Sequence, residues 1–340
     1  MKRTGPAAEV AHRSSSFRDP DGAVVEVGGR IFRLVRGPAV DRTRKFLASE
    51  LCRMLVAERL LVPTWEERGV GSLGVELGIG QEALERGNVG LVLGHEAIWF
   101  PSYPHEWPAE MLWEAGRLTL ELCDRSLEHG FGLKDATPYN VLFCGPRPVF
   151  VDVLSFEPRD PADFVWRAYG QFVRTFLLPL ALWRFCGVPP GVVFLSSREG
   201  LTPEQAARWL GPIVRLRRPV LTLATVPNWL GRWADRMGEG LYRRRTVDPE
   251  VARRALRTLF RGLRDQLERL RPPVSTGSGW SRYEEETLRL APEARRVKHE
   301  WVVATLRRRK PETMLDPGLQ HRYVRVGCGG AGYPCSGGGP

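Results

Sequence analysis

The sequence predicts an α+β chain: strands gather near the N-terminus, helices dominate the remainder, and a polar linker precedes a last helical segment. Three observations lead there. The β-rich runs Ala23–Val27 and Arg30–Val35 flank Gly28-Gly29, the pattern of a hairpin with a tight two-residue turn. Apolar residues recur at helical spacing from Phe46 to Leu61, from Met111 to Cys123, and through 164–270. The 340 residues are 43% hydrophobic and 26% charged, enough to bury a substantial core and too apolar for a collagen-like or wholly disordered chain.

Taken in order, residues 1–16 are polar and read as a frayed arm. After the hairpin, Phe46, Leu47, Leu51, Leu55, Leu60 and Leu61 predict one helix over Arg42–Leu61. A Gly-rich stretch ends in the apolar strand Val89–Leu93, and an aromatic loop runs from Ile98 to Trp107. The next helix carries Met111, Leu112, Ala115, Leu118, Leu122, Cys123 and Ser126 on its apolar face, and His129-Gly130 closes it with a C-terminal glycine signal. Val141-Leu142-Phe143 and Pro148-Val149-Phe150-Val151 form a hairpin about a Gly-Pro turn, with Asp152 at its end. Residues 164–270 are helical, broken around 187–191 and 211–219, with Trp229, Trp233 and Tyr242 as core and rim packing. Residues 272–279 are the clearest linker, a helix follows over Tyr283–Arg309, and the last 14 residues are half glycine.

Charge narrows the functional classes. The formal net charge is +11, but only five of the 50 basic residues are lysine, an imbalance that reflects GC-rich codons more than a nucleic-acid surface. Residues 251–310 hold 16 Lys/Arg against seven Asp/Glu, so one segment carries most of the excess. A solvated helix face explains it better than a phosphate track, and nucleic acid ranks last among the partners. The six cysteines show no CxxC pair or zinc spacing and read as reduced, mostly buried thiols. No apolar run reaches the ~18–20 residues of a membrane span. The expected location is the cytoplasm.

The chemistry concentrates in Leu133-Lys134-Asp135-Ala136-Thr137-Pro138-Tyr139-Asn140 and the hairpin after it. Phosphoryl transfer needs a carboxylate near the acceptor hydroxyl and oxygen ligands for magnesium. Asp135 and Asn140 stand five apart after a long helix, and Asp152 follows 12 residues later at the end of a hairpin. The bland alternative makes Asp135 and Asn140 turn formers and Asp152 a strand cap. The ordered set resembles the catalytic core of the protein-kinase-like, aminoglycoside-phosphotransferase-like superfamily. That resemblance implies a two-lobed domain with Asp135 as the catalytic or acceptor-orienting group, Asn140 and Asp152 as magnesium ligands, and ATP as cofactor. The chain departs from the pattern. Leu133 stands where the superfamily has His, Gly28-Gly29 is too short for a phosphate-covering loop, and the phosphate-holding strand Lys is missing. Arg33 is its nearest stand-in, with Glu50 or Glu58 as helix partner, and Arg does not simply replace Lys there. An active phosphotransferase and a non-catalytic nucleotide-binding or substrate-presenting module both stay open.

Longer phrases narrow the resemblance. Ser16-Phe17-Arg18-Asp19-Pro20, Pro101 to Trp107, Gly132 to Ala136 and Pro148 to Asp152 resemble the N-terminal region of bacterial nodulation-protein-like class I SAM-dependent methyltransferases. The resemblance covers Phe17 to Asp316. It implies that a kinase-like segment precedes a Rossmann-type methyltransferase domain, and that the acceptor is a small molecule or glycan. Pro311 to Asp316 reads as the lead into a first strand, but Asp316-Pro317-Gly318 matches only half of the cofactor turn. The 20-odd residues left cannot hold a doubly wound sheet, whose βα units need at least ~30 residues each. Dropping one base from a permitted coding of Leu319–Arg325 gives Cys-Asn-Thr-Gly after Gly318, so a frameshift is expected there, with a natural truncation and a disordered end as the alternative. The expected organisation is an arm at 1–16, a kinase-like domain at 17–272, a linker and helix at 273–310, and an incomplete methyltransferase start at 311–340 that binds no SAM.

Overall fold

The computed structural model describes residues 11–12, 20–67, 88–211, 214, 247–273 and 292–309. The chain divides into two units, Met1–Pro272 and Pro273–Pro340. In the first, an antiparallel sheet has the order β1-β2-β3-β5-β4, from β1 (Ala11–His12), β2 (Gly22–Val27), β3 (Arg30–Arg36), β4 (Thr64–Glu66) and β5 (Val89–His95). Gly28 and Gly29 turn the β2–β3 hairpin with φ of +56° and +77°, values that a two-residue hairpin demands and glycine meets without strain.

Strand alternation gives the sheet two faces. Val25, Phe32, Leu34 and Val92 make a small cluster on one. The other carries Val35, Leu91 and Leu93 into the main core. The β3–β5 register sets Arg33 opposite Leu93 and Ile31 opposite His95, so Arg33 and His95 share that inner face.

The helix expected over 42–61 is two helices, α1 (Gly37–Leu47) and α2 (Glu50–Ala57). Ser49 makes the break: its backbone is extended and its Oγ accepts from Cys52 N–H at 3.1 Å, satisfying a donor that α2 leaves orphaned at its start. Arg59, at φ +60°, ends the helical path, so Leu60 and Leu61 leave the helix. Val62 N–H then donates to Phe150 O and Phe150 N–H to Leu60 O, both at 2.9 Å. Phe46 of α1 stacks on Phe156 with centroids 4.2 Å apart and meets Phe131 edge-on at 5.6 Å. Fully buried, Phe46 clamps the sheet layer to the loops beneath it, and truncating such a ring costs about 3–5 kcal/mol.

Helix α3 (Ala109–Glu128) is buried on most sides and ends at His129 and Gly130, the latter at φ +76°. Two short strand pairs follow, β6 (Phe131–Leu133) with β9 (Phe156–Pro158) and β7 (Val141–Cys144) with β8 (Arg147–Phe150), together with the isolated bridge Leu61–Phe150. Then come α4 (Tyr169–Phe172), a π-helical turn (Val173–Leu177), α5 (Leu178–Cys186), α6 (Pro190–Ser196), α7 (Pro203–Trp209) and α8 (Pro249–Arg269). Helix α8 crosses α3 closely: Trp113 Nε1 donates to Leu267 O at 3.0 Å, and Gly116 leaves room for Leu267 and Phe176. Its basic outer face is partly neutralised, with Arg257 paired to Glu128 and Arg264 to Asp124. In the second unit α9 (Pro292–Arg309) carries Arg296 between Glu293 and Glu300. Trp229, Trp233, Tyr242, the linker after 273 and all of 310–340, including the expected methyltransferase start, lie outside the described residues.

Among the described residues no helix is long and apolar enough to cross a membrane. Cys52 and Cys123 are buried free thiols, and burial pushes the Cys52 thiol up to about 11. Cys144 and Cys186 are exposed, so the expectation of mostly buried thiols holds for two of these four.

Candidate functional site

Asp135 lies in the loop after β6, and its neighbours are pinned on both sides. Leu133 O accepts from Trp166 Nε1 at 3.1 Å, and Lys134 N–H donates to Ser155 O at 2.9 Å. Ala136 N–H donates to Gln171 Oε1 at 2.6 Å, and Ala136 O accepts from Thr175 Oγ1 at 3.4 Å. Gln171 and Thr175 border or occupy the π-helical turn, a feature frequent at functional sites because it redirects side chains out of α-helical register. Lys134 and Arg42 both pair with Asp21, tying this loop to the start of β2 and to α1. Burial alone would raise the Asp21 carboxyl, but the hydrogen bonds from Lys134 and Arg42 outweigh it and hold the group below the usual range.

Asn140 closes a 3-10 turn (Pro138–Asn140) whose cap is Thr137, and Asn140 O accepts from Val151 N–H at 2.9 Å. That bond sets the start of the Asp152 loop. Asp152 caps its own 3-10 turn (Val153–Ser155), its Oδ1 accepting from Leu154 N–H at 3.3 Å. Ser155, fully buried, joins the two. Its hydroxyl donates to Asp152 Oδ2 at 2.5 Å, and its Oγ receives Asn140 Nδ2 at 3.0 Å. The carboxylate can only accept, so the one hydroxyl hydrogen is committed to it and Asn140 must turn its amide nitrogen to Ser155.

Arg33 reaches across from β3. Its guanidinium meets Asp152 Oδ1 at 2.5 Å, with side-chain exposures of 10% and 13%, so the pair is largely removed from water. The expected helix partners are elsewhere: Glu50 is exposed at the start of α2, and Glu58 pairs with Arg125 at 2.8 Å. Of the five expected site residues, Arg33, Asn140 and Asp152 thus belong to one hydrogen-bonded chain through Ser155. Asp135 is linked to that chain through its neighbour's backbone, and Glu50 is not linked to it by any of these bonds.

Sequence reasoning missed His95. It is 8% exposed, and its Nδ1 lies 2.9 Å from Thr64 Oγ1. The Thr64 hydroxyl hydrogen goes to Val62 O at 3.0 Å, so His95 Nδ1 must be the donor and Nε2 keeps its lone pair. Among the described residues that buried Nε2 has no hydrogen-bond partner. Burial first, then the charge of Arg33, pull the imidazole down to about 3 against a smaller opposite pull from Asp152. The signal available in the sequence was weak: one polar residue ending an otherwise apolar strand.

The residues expected to hold magnesium do not fit a resident ion. Asp152 presents both oxygens to protein donors, one of them a guanidinium, and Asn140 faces Ser155 with its nitrogen. Among the described residues no group of three or more His, Cys, Asp or Glu side chains could hold a metal.

These features define a mixed α/β chain in which an N-terminal antiparallel sheet delivers an arginine onto a loop carboxylate. Along its length it is similar to a curated protein, Nodulation protein NoeA of Rhizobium meliloti (strain 1021): 28% identical over 322 residues, covering 93% of this chain. The chain spans 63% of that relative's length. No family model matches the chain. Among solved structures, vaccinia related kinase 3 aligns with 77% of this chain and 94% of its own, at 11% identity and a TM-score of 0.34.

Proposed function

We propose that this chain is the kinase-like part of a class I SAM-dependent methyltransferase-type protein and acts as a non-catalytic binding or substrate-presenting module in the cytoplasm. The order of elements supports the kinase-like reading: sheet, long α3, the loop of Asp135 and Asn140, a hairpin, then Asp152. The similarity to a nodulation protein longer than this chain supports the assignment to a larger protein. The methyltransferase domain and its SAM would lie beyond the described residues, and the acceptor would be a small molecule or glycan.

The observation that carries the non-catalytic reading is the Arg33–Asp152 pair. A carboxylate meant to hold a phosphate-bound cation must offer that cation its oxygens. Here Oδ1 accepts from the Arg33 guanidinium and from Leu154 N–H, and Oδ2 accepts from Ser155, which leaves a single lone pair, on Oδ2, for an ion. Incubation with labelled ATP and magnesium tests this, with phosphate release expected at the buffer rate. Release that disappears in Asp135→Ala would overturn the reading and make the chain an ATP-dependent small-molecule phosphotransferase. One observation favours that second reading: the backbone on both sides of Asp135 is held by four hydrogen bonds, the setting a positioned catalytic carboxylate requires.

A further inference from the structure

Asp152 has the carboxylate, the burial and the neighbouring amide of a cation site, and a cation already stands there. We propose that Arg33 is the resident cation of this site, filling the position at Asp152 that a divalent ion would need, so that the site holds no metal in its native state. The inference deepens the non-catalytic reading and rests on it only for the identity of the site.

Three features of the site support it. The Arg33 guanidinium sits 2.5 Å from Asp152 Oδ1, in a pair whose two side chains are each close to nine-tenths buried. Asp152 Oδ2 accepts the hydroxyl of completely buried Ser155, and Oδ1 accepts from Leu154 N–H as well as from Arg33, so the carboxylate keeps a single lone pair, on Oδ2, for an incoming ion. His95, on the same sheet face as Arg33, keeps an unshared lone pair at Nε2 while feeling the charges of both Arg33 and Asp152. A buried nitrogen of that kind is a ready ligand for a divalent transition ion, and a fixed guanidinium beside it excludes such an ion by like charge. Arginine suits the role: it stays charged throughout the working range and its planar fork matches a carboxylate.

The experiment uses the full chain and Mn²⁺ as the probe. Wild type is expected to bind no Mn²⁺ at this site up to about 1 mM, and Arg33→Met to gain one ion per chain with a Kd of roughly 0.1–1 mM. Paramagnetic broadening of the His95 ring signals reports where the ion sits. It should appear in Arg33→Met and vanish in Arg33→Met combined with Asp152→Asn. If Arg33→Met does not fold, Arg33→Gln keeps a polar side chain of similar reach and gives the same readout, and Mn²⁺ should then raise its melting temperature but not that of wild type. Broadening of His95 in the wild-type protein at these concentrations, or none in either folded variant, overturns the proposal. Phosphate release from ATP by wild type would remove the non-catalytic reading instead, and is measured separately.

Discussion

The buried imidazole of His95 makes the stability of this protein depend on pH in a way that can be worked out in advance. The groups facing it are Arg33 from β3, Thr64 from β4 and Asp152 from the loop after β8, and only Asp152 favours protonation. In the unfolded chain the ring titrates at its ordinary 6.5, whereas in the folded chain it stays neutral down to about 3. Between those values the unfolded state binds a proton that the folded state refuses, so stability falls as pH falls. The full contribution is present above 6.5, is lost progressively below it, and the loss levels off below about 3. From pH 7 to pH 5 the loss amounts to ~2 kcal/mol, at ~1.4 kcal/mol per pH unit once the unfolded ring is mostly charged.

Urea unfolding at pH 7 and pH 5 measures this, with His95→Asn as the reference. Asparagine places an amide N–H near the imidazole Nδ1, keeps the donation to Thr64, and does not titrate. Wild type should lose ~2 kcal/mol more than the variant across the interval. An equal loss in both proteins refutes the reasoning, because it would mean that the ring is not desolvated in the fold. The ring's own titration by NMR provides a check without a variant: a midpoint above ~5 contradicts a site this buried.

Two further substitutions test the geometry. Ser155→Ala removes the hydroxyl between Asn140 and Asp152, leaves the half-buried amide and the carboxylate each without that partner, and should cost about 1–3 kcal/mol in urea unfolding, whereas an unchanged midpoint would deny the bridge. Gly200→Ala places a Cβ only 2.2 Å from Arg174 O at φ +71°, and should lower the melting temperature far more than Gly187→Ala, which has the same φ and open space around it. Backbone strain of about 1–3 kcal/mol is common to both, so the difference between them isolates the clash against the π-helical turn.

Local chemistry was legible in the sequence and distant pairing was not. Gly28-Gly29 between two β-branched runs fixes a hairpin, and the structure has it to within a residue at either end. His129-Gly130 marks the end of α3 for a similar reason, since Gly130 adopts a left-handed φ. The break between α1 and α2 escaped because its apolar residues keep helical spacing through it. The decisive event is one Ser49 hydroxyl capping Cys52. The order of Asp135, Asn140 and Asp152 was visible as spacing. The partner of Arg33 was not, because it stands 119 positions away and is chosen by the fold rather than by helical neighbourhood. Ser155 and His95 carry no pattern of their own. Their roles follow from counting which hydroxyl hydrogen goes where, and that count needs coordinates.

The division of labour between backbone and side chain explains how a site of this shape could change its chemistry while keeping its frame. The loops bearing Asp135, Asn140 and Asp152 are held to each other by main-chain bonds, Lys134 N–H to Ser155 O and Val151 N–H to Asn140 O, both 2.9 Å. The aromatic stack of Phe46 on Phe156 ties the same loops to α1 without using any of those side chains. These main-chain bonds do not run through the carboxylates themselves. What the site does therefore depends on a few polar groups at its surface, and on the cation opposite Asp152 most of all. A lysine there is a compact point charge on a flexible stem that can swing between partners, whereas the arginine fork, once seated on a buried carboxylate, keeps its place only at the expense of any competing ion.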